Sequence, residues 1–340
     1  MLVRALTLCL GTAAGAIAAT TAAADTTLRF ALDWKFEAPS APYFLALDRG
    51  YYAEEGLDVT IDSGSGSVQT IPRIAGGNYD MGFGDINSLI KFKDQNPEAA
   101  VIGVMMTYER PPFAIVSVAG RGIDPADPAS LEGRKLGAPP PDAAFAQWPI
   151  FVAANDLDES AVTIESVGFP VREPMLAAGE VDGVFGFSFS SHLNLQNAGV
   201  AAEDVVVMLM ADHGLELYGN VVMANTDFAA ANPDAVAGFI RATIKGWRDT
   251  ISDPEAAIAA VLERNEIARA DIEKQRLAMV LRDNVLTPTV QAEGIGGVDM
   301  DRLQRSIDQI ATAYDYTDKP NADAVFTDAY LPPAEDRKID

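Results

Sequence analysis

The chain has 340 residues, 49% of them hydrophobic and 22% charged, with 25 Lys and Arg against 49 Asp and Glu for a formal net charge of −24. That length and apolar fraction exclude a disordered tail and predict a globular protein of two lobes, since single cores stop growing near ~250–300 residues. The charge argues against a nucleic-acid partner, which needs concentrated Lys and Arg; a single cysteine, Cys9, and two histidines, His192 and His213, argue against a disulfide framework and a Cys- or His-rich metal centre.

Residues 1–24 read as a secretory signal. Arg4 supplies the positive start, Ala5 to Ala19 an uncharged apolar middle, and Ala22-Ala23-Ala24 before Asp25 a small-residue cleavage site. The segment is mostly Ala, Gly and Thr after Leu10, too weakly apolar for an anchor across ~30 Å of hydrocarbon. The expectation is an exported protein.

From Leu28 short apolar runs alternate with helix-like stretches, which predicts an α/β fold with largely parallel sheets. Leu28–Trp34 reads as a strand, Pro42–Glu55 as a helix ending at Gly56, and Leu57–Ile61 as the next strand, with Val59 and Ile61 on one face. The loop Ser63-Gly64-Ser65-Gly66-Ser67 runs into a helix expected near Thr70. Tyr79–Gly84, Val101–Thr107 and Phe113–Val118 are further strands, and Gly120–Pro128, rich in Gly, Pro and Asp, reads as a crossover between lobes. Pro233–Ile251, Pro254–Arg264, Asp271–Leu286 and Asp299–Tyr314 are long and helical, two of them opening on proline, whose missing N–H costs little there.

One segment recurs without gaps. Pro72 to Asp85 aligns with Pro174 to Phe187, with Pro72/Pro174, Ala75/Ala177, Gly77/Gly179, Asp80/Asp182, Phe83/Phe185 and Gly84/Gly186 identical. Physically this is a helix stopped by glycine, a tight turn and a buried strand. Occurring once per lobe, it would aim Gly84-Asp85 and Gly186-Phe187-Ser188 at a shared cleft beyond the carboxyl ends of the strands.

Catalytic chemistry finds little support. His192 and His213 stand in no recognisable catalytic frame. The Ser63–Ser67 loop lacks the Gly-Lys-Ser/Thr of a phosphate cradle, though its backbone and hydroxyls could hold a polar group. Trp34, at the end of the first strand, suits a stacking wall for a flat ligand, with Phe185, Phe187, Tyr108 and Tyr218 as further apolar contacts. Asp33, Asp85 and Glu216 would make the mouth acidic and favour an amine over a dianion.

Ala31-Leu-Asp-Trp34, Pro39-Ser-Ala-Pro-Tyr-Phe-Leu-Ala46, Arg49-Gly-Tyr-Tyr-Ala-Glu-Glu-Gly-Leu-Asp-Val59, Gly77-Asn-Tyr-Asp-Met-Gly-Phe-Gly84, Leu131-Glu-Gly-Arg-Lys-Leu-Gly137 and Gly179-Glu-Val-Asp-Gly-Val-Phe-Gly186 together resemble the NMT1/THI5-like family. That family includes periplasmic solute-binding proteins of nitrate, taurine, alkanesulfonate and thiamine-pyrimidine ABC transporters. The resemblance implies a type II periplasmic-binding-protein fold, two α/β lobes with a ligand cleft between them. Lobe one would comprise 25–112 plus 225–340, and lobe two 113–224. The family also holds an enzyme that makes the thiamine pyrimidine phosphate, the alternative function. The positions matching that enzyme's cofactor-binding lysine and histidine are Gly84 and Ser88 here, and its cysteine-rich iron motif has no counterpart. The pyrimidine binders' first-turn histidine is Ser40, and their Trp-Glu is replaced by Phe187-Ser188-Phe189-Ser190.

The resulting expectation is a monomeric, non-enzymatic binding protein with no cofactor or metal, passing a small molecule to an ABC permease in the inner membrane. Its ligand contacts would be Trp34 as wall, Ser40 with the Ser65, Gly66 and Ser67 backbone as polar clamps, Gly84 and Asp85 at the first strand end, and Phe187 and Ser188 from the opposite lobe. Tyr108 and Tyr218 would lie near the crossovers.

Overall fold

A computed structural model describes residues 25–339; the signal expected over 1–24 lies outside the described residues. Ten strands form two five-stranded sheets of the same design. The first contains β1 (Thr26–Ala31), β2 (Leu57–Asp62), β3 (Met81–Asp85), β4 (Val101–Met106) and β10 (Asn220–Asn225), in the order β2-β1-β3-β10-β4. The second contains β5 (Phe113–Val118), β6 (Lys135–Ala138), β7 (Thr163–Ser166), β8 (Gly183–Phe187) and β9 (Val205–Leu209), in the order β7-β6-β8-β5-β9. In each, four strands run in one direction and the fifth, β10 or β5, lies antiparallel between two of them.

The edge-side strands β1 and β2 alternate, burying Leu28, Phe30, Leu57 and Val59 and exposing Thr27, Arg29, Asp58 and Thr60. The central β3 is buried at every position, as a strand covered on both faces must be. The repeated unit holds. Helices Ser67–Ala75 and Arg172–Ala178 each lead through a left-handed glycine, Gly77 (φ 72°) or Gly179 (φ 80°), into β3 or β8, which occupy the same central place in their sheets.

Several expectations shift. The helix read over Pro42–Glu55 is interrupted at Gly50, giving Ala41–Asp48 and Tyr51–Glu54. The last stretch before Leu286 leaves the α-helix at Val280 for a π-turn, Leu281–Val285. Gly120–Pro128 is no crossover: it joins β5 to β6 within the second sheet, its Gly and Pro content marking an ordinary loop. The chain changes sheets over 107–112, between β4 and β5, and again over 210–219, between β9 and β10. The expected division at 224/225 therefore falls inside β10, whose apolar Val221–Ala224 belongs to the first sheet's core.

The two crossing segments pair with each other. Thr107 and Tyr108 donate backbone N–H bonds to the Asn220 carbonyl (3.1 and 2.9 Å), and Gly219 donates to that of Tyr108 (2.9 Å). Arg302, from the helix Met300–Ala313, donates to the carbonyls of Glu109 and Leu217, one in each segment, and pairs with the Glu109 carboxylate. Asn284 donates from the π-turn to the Arg110 carbonyl (3.0 Å). The C-terminal helices bury Trp247 and Phe239 against the first lobe. No helix of the described residues is long and apolar enough to cross a membrane.

Candidate functional site

The lobes face each other across a slot of about 60 Å³. Its walls come from segments following the carboxyl ends of β1, β6, β7 and β8, the place where open α/β sheets bind ligands. From the first lobe come Leu32 to Lys35, Glu37, Pro39, Ser40, Gly66, Ser67, Phe83 and Asn220 at the start of β10, with Tyr108 from a crossing segment; from the second come Asp142, Phe169, Arg172, Phe187, Phe189 and Ser190. Trp34 meets Phe169 edge-on across the junction, ring centroids 4.5 Å apart. Phe187 and Phe189 form a T-shaped pair at 5.8 Å, and Tyr108 sits edge-on to both Phe189 and Phe83. Aromatic rings from both lobes thus line the slot.

Of the residues expected to touch ligand, Trp34, Ser40, Gly66, Ser67, Tyr108 and Phe187 line this slot. Ser65, Gly84, Asp85, Ser188 and Tyr218 do not. Ser65 is exposed on the loop. Gly84 packs against Met223 and Ser67 inside the sheet. Asp85 is fully buried and caps the helix Ile86–Gln95, accepting from the Asn87 and Ser88 backbones and from the Ser88 hydroxyl (2.6 Å). Ser188 is the buried first residue of the helix Ser188–Asn197. Tyr218 is held away from the slot by Arg302, 3.9 Å above its ring, while its hydroxyl accepts from the Asp299 backbone.

The polar-clamp expectation for the serine-glycine loop changes character. Gly66 N–H is spent on the Asp33 carbonyl (2.7 Å) and Gly64 N–H on that of Trp34 (3.0 Å). Gly66 matters instead for close approach: it sits at φ 109°, and a Cβ there would stand 2.5 Å from the Pro141 carbonyl oxygen of the other lobe. Only glycine suits both demands. Ser67 links two buried acids, its hydroxyl donating to Asp33 (2.7 Å) and accepting from the Asp85 N–H (3.1 Å).

Charge in the slot is mostly negative. Asp33 receives Ser67 and Asn220 Nδ2 (2.7 Å), yet burial pushes its pKa up to about 6; burial does the same to Asp85. Glu37 is raised by burial, with Arg276 opposing and Glu273 adding to the shift. Arg172, 2% exposed, is gripped by Asp142 (2.9 Å) and Glu173 (2.6 Å), and those acids more than offset the burial that would lower its pKa. Glu216, expected at the mouth, is exposed beside Arg305. His213 donates from Nε2 to the Pro125 carbonyl (2.9 Å), outside the slot lining. Among the described residues no group of three or more His, Cys, Asp or Glu is placed to hold a metal ion.

Three buried side-chain atoms of slot residues have no hydrogen-bond partner: Trp34 Nε1, Glu37 Oε2 and Asn220 Oδ1. A larger groove, about 460 Å³, opens beyond the Pro140–Pro149 segment, walled by Ile71, Phe92, Phe145 and Trp148, but contributes one such atom, Trp148 Nε1. Unmet polar groups among its lining residues make the slot the candidate binding site, since a buried polar atom without a partner is costly.

Sequence reasoning missed Glu37, Asp142, Phe169, Arg172 and Asn220. For Phe169 a signal existed. Carrying the internal repeat a few residues further back pairs Gly66 with Gly168 and Ser67 with Phe169 at the same spacing. A slot residue in one lobe therefore points to one in the other.

A model of the family described as NMT1/THI5 like matches residues 38–257. The riboflavin-binding protein RibY of Chloroflexus aurantiacus is 26% identical over 224 residues, covering 66% of this chain and 62% of that protein, so the match spans less than two thirds of its length. The formylaminopyrimidine-binding protein of Halalkalibacterium halodurans is 24% identical over 305 residues, 86% of this chain and 87% of that one. A 4-amino-5-hydroxymethyl-2-methylpyrimidine phosphate synthase of Schizosaccharomyces pombe is 24% identical over 235 residues, covering 67% of this chain and 66% of the enzyme. Among solved structures, the periplasmic aliphatic sulphonate binding protein SsuA of Escherichia coli superposes with a TM-score of 0.70 at 14% identity, covering 90% of this chain and 99% of that one. The periplasmic-binding-protein fold is thereby shown.

Proposed function

The chain belongs to the NMT1/THI5-like family, and from that premise we propose that it is an exported solute-binding protein that captures a small organic molecule between its lobes and delivers it to an ABC importer. The observation that carries this reading is the slot itself: aromatic walls from both lobes, Trp34 and Phe169 at 4.5 Å, enclose buried polar atoms that lack partners. Such a slot rewards a guest that touches both lobes at once, and a guest with that preference shifts the population toward the closed form. Relatives named for binding riboflavin and formylaminopyrimidine support a flat organic cargo.

A thermal-shift screen of a metabolite panel tests this directly, since a ligand at ~100 times its Kd adds about 2.7 kcal/mol of stability. With the ligand found, Trp34→Ala and Phe187→Ala each weaken binding about tenfold or more; unchanged affinity in both removes the slot from the account. Gly66→Ala leaves the circular-dichroism spectrum intact but prevents the ligand-induced drop in radius of gyration, because the added methyl meets Pro141.

Synthase relatives make an enzyme the rival. One lysine, Lys35, lines the slot, lying exposed with its Nζ 5.2 Å above the Trp34 ring. Gly84 and Ser88, where the enzyme branch carries lysine and histidine, sit inside the sheet and in a helix-cap hydrogen bond. Incubation with pyridoxal phosphate is expected to give no stoichiometric Schiff-base absorbance; a stoichiometric band overturns the binding-protein reading.

A further inference from the structure

The slot, lined by Asp33, Glu37 and Asp142, and the layer behind it, with Glu173 and Glu273, bury more acid than their cations balance. On the first lobe's side Glu37 and Glu273, 8% and 3% exposed, share one guanidinium. Arg276 Nε reaches both Glu273 oxygens (3.2 and 3.1 Å), while its Nη1 stands 3.4 Å from Glu37 Oε2 without forming a hydrogen bond. On the second lobe's side Asp142 and Glu173 share Arg172, whose Nε, Nη1 and Nη2 are all committed to them. Asp33 adds a fifth buried carboxylate, held only by the neutral donors Ser67 and Asn220. Lys35 is the remaining cation of the lining, and it is exposed to solvent, where screening weakens its effect.

Two guanidinia therefore serve five buried carboxylates. Uncompensated buried charge is costly, and an anionic guest would add to it: Arg172, the one buried cation lining the slot, has every nitrogen facing an acid. The unpartnered atoms give the complementary half of the pattern. Glu37 Oε2, whose one charged neighbour is Arg276 Nη1 at 3.4 Å, and Asn220 Oδ1 are acceptors to which no protein group donates, and Trp34 Nε1 is a donor with no protein acceptor.

Resting on the reading of the slot as a capture site, we propose that the cargo is a small planar cation, of amidinium, guanidinium or ring-ammonium type. Its N–H groups meet Glu37 and Asn220, and its flat face lies against Trp34. Sulfonates and nitrate are excluded by the same charge pattern. The aromatic walls suit this guest, since a cation over an indole face gains attraction as water leaves.

Isothermal titration of the full chain with three probes of one shape tests the proposal: benzamidine (cation), benzamide (neutral) and benzenesulfonate (anion). Benzamidine is expected to bind about tenfold or more tightly than benzamide, with no heat from benzenesulfonate. Glu37→Gln, which keeps the side chain's shape, shrinks the benzamidine preference to about threefold or less, with an unchanged circular-dichroism spectrum showing that the variant folds. Tighter binding of benzenesulfonate, or an undiminished preference in the variant, overturns the cationic cargo and leaves small-molecule capture standing. Silence from all three also overturns it; capture itself falls only if the metabolite panel gives no thermal shift as well.

Discussion

Asp80, just ahead of β3, and Asp182, just ahead of β8, do the same work in the two lobes. Each closes a two-way bond with the neighbouring parallel strand: Asp80 accepts from the Arg29 N–H (2.7 Å) and donates its own N–H to the Arg29 carbonyl, and Asp182 does so with Lys135 (2.9 Å). At the far ends of the same strands the lobes part. β3 ends on Asp85, a buried helix cap; β8 ends on Phe187, which caps nothing and walls the slot. The shared aspartates of the repeat therefore build the scaffold, and at the strand ends the two copies differ, only the second placing a slot residue there.

That contrast can be attacked at three points. The largest effect is expected from the glycines one residue before each strand end. A Cβ on Gly186 would stand 2.3 Å from the Ser191 hydroxyl and 3.0 Å from Arg172 Nη1, whereas one on Gly84 meets Met223 and Ser67 at 3.4 Å or more. Gly186→Ala displaces a buried guanidinium from its acids and costs roughly 3 kcal/mol, while Gly84→Ala changes stability by less than about 1 kcal/mol. Chemical denaturation measures both, and equal losses would show the two strand ends to be alike after all.

Next are the two slot acids. Asp142 is held by a guanidinium and Asp33 by neutral donors. Asp142→Asn is expected to destabilise by about 2 kcal/mol, leaving Arg172 short of a partner, and Asp33→Asn to stabilise at pH 7 by a similar amount. The sign follows from Asp33 holding its proton more tightly folded, near 6, than unfolded, near 3.8. Its contribution to stability is greatest in acid and is lost as pH rises through that interval. Melting temperatures between pH 4 and 6 should therefore slope less steeply in Asp33→Asn than in the parent. An unaltered slope would show that Asp33 titrates normally. The smallest effects belong to the shared scaffold: Asp80→Ala and Asp182→Ala should each cost about 1 kcal/mol, and a marked inequality between them would break the equivalence of the repeat.

Much of this arrangement was legible in the residues. Alternation in Leu57–Ile61, the glycine-closed helices and the internal repeat located strands β1 to β5 to within a few residues, and Phe113–Val118 matched residue for residue. Trp34, Ser67, Tyr108 and Phe187 were found because strand ends face the cleft in such folds. Glu37 and Asn220 were not found, because their contacts with Arg276 and Asp33 span more than 100 residues of chain, and Asp142 and Arg172 were not found because their pairing across a strand and its loops follows no local spacing. Gly120–Pro128 misled for a related reason: loop composition marks where a chain turns, and the sheet it enters next is fixed by pairing.

Arg302 gives the molecule a mechanical property. By holding the Glu109 and Leu217 carbonyls together while the two crossing segments bond to each other, it makes them one leaf rather than two threads. A single leaf flexes about one axis and resists twisting, so the halves can rock but cannot slide past one another. A guest seated at one end of the slot then sets the gap at the other. On the capture reading proposed above, the outer rims would then report occupancy as a yes or no, a signal that a membrane-bound receiver could read without touching the cargo.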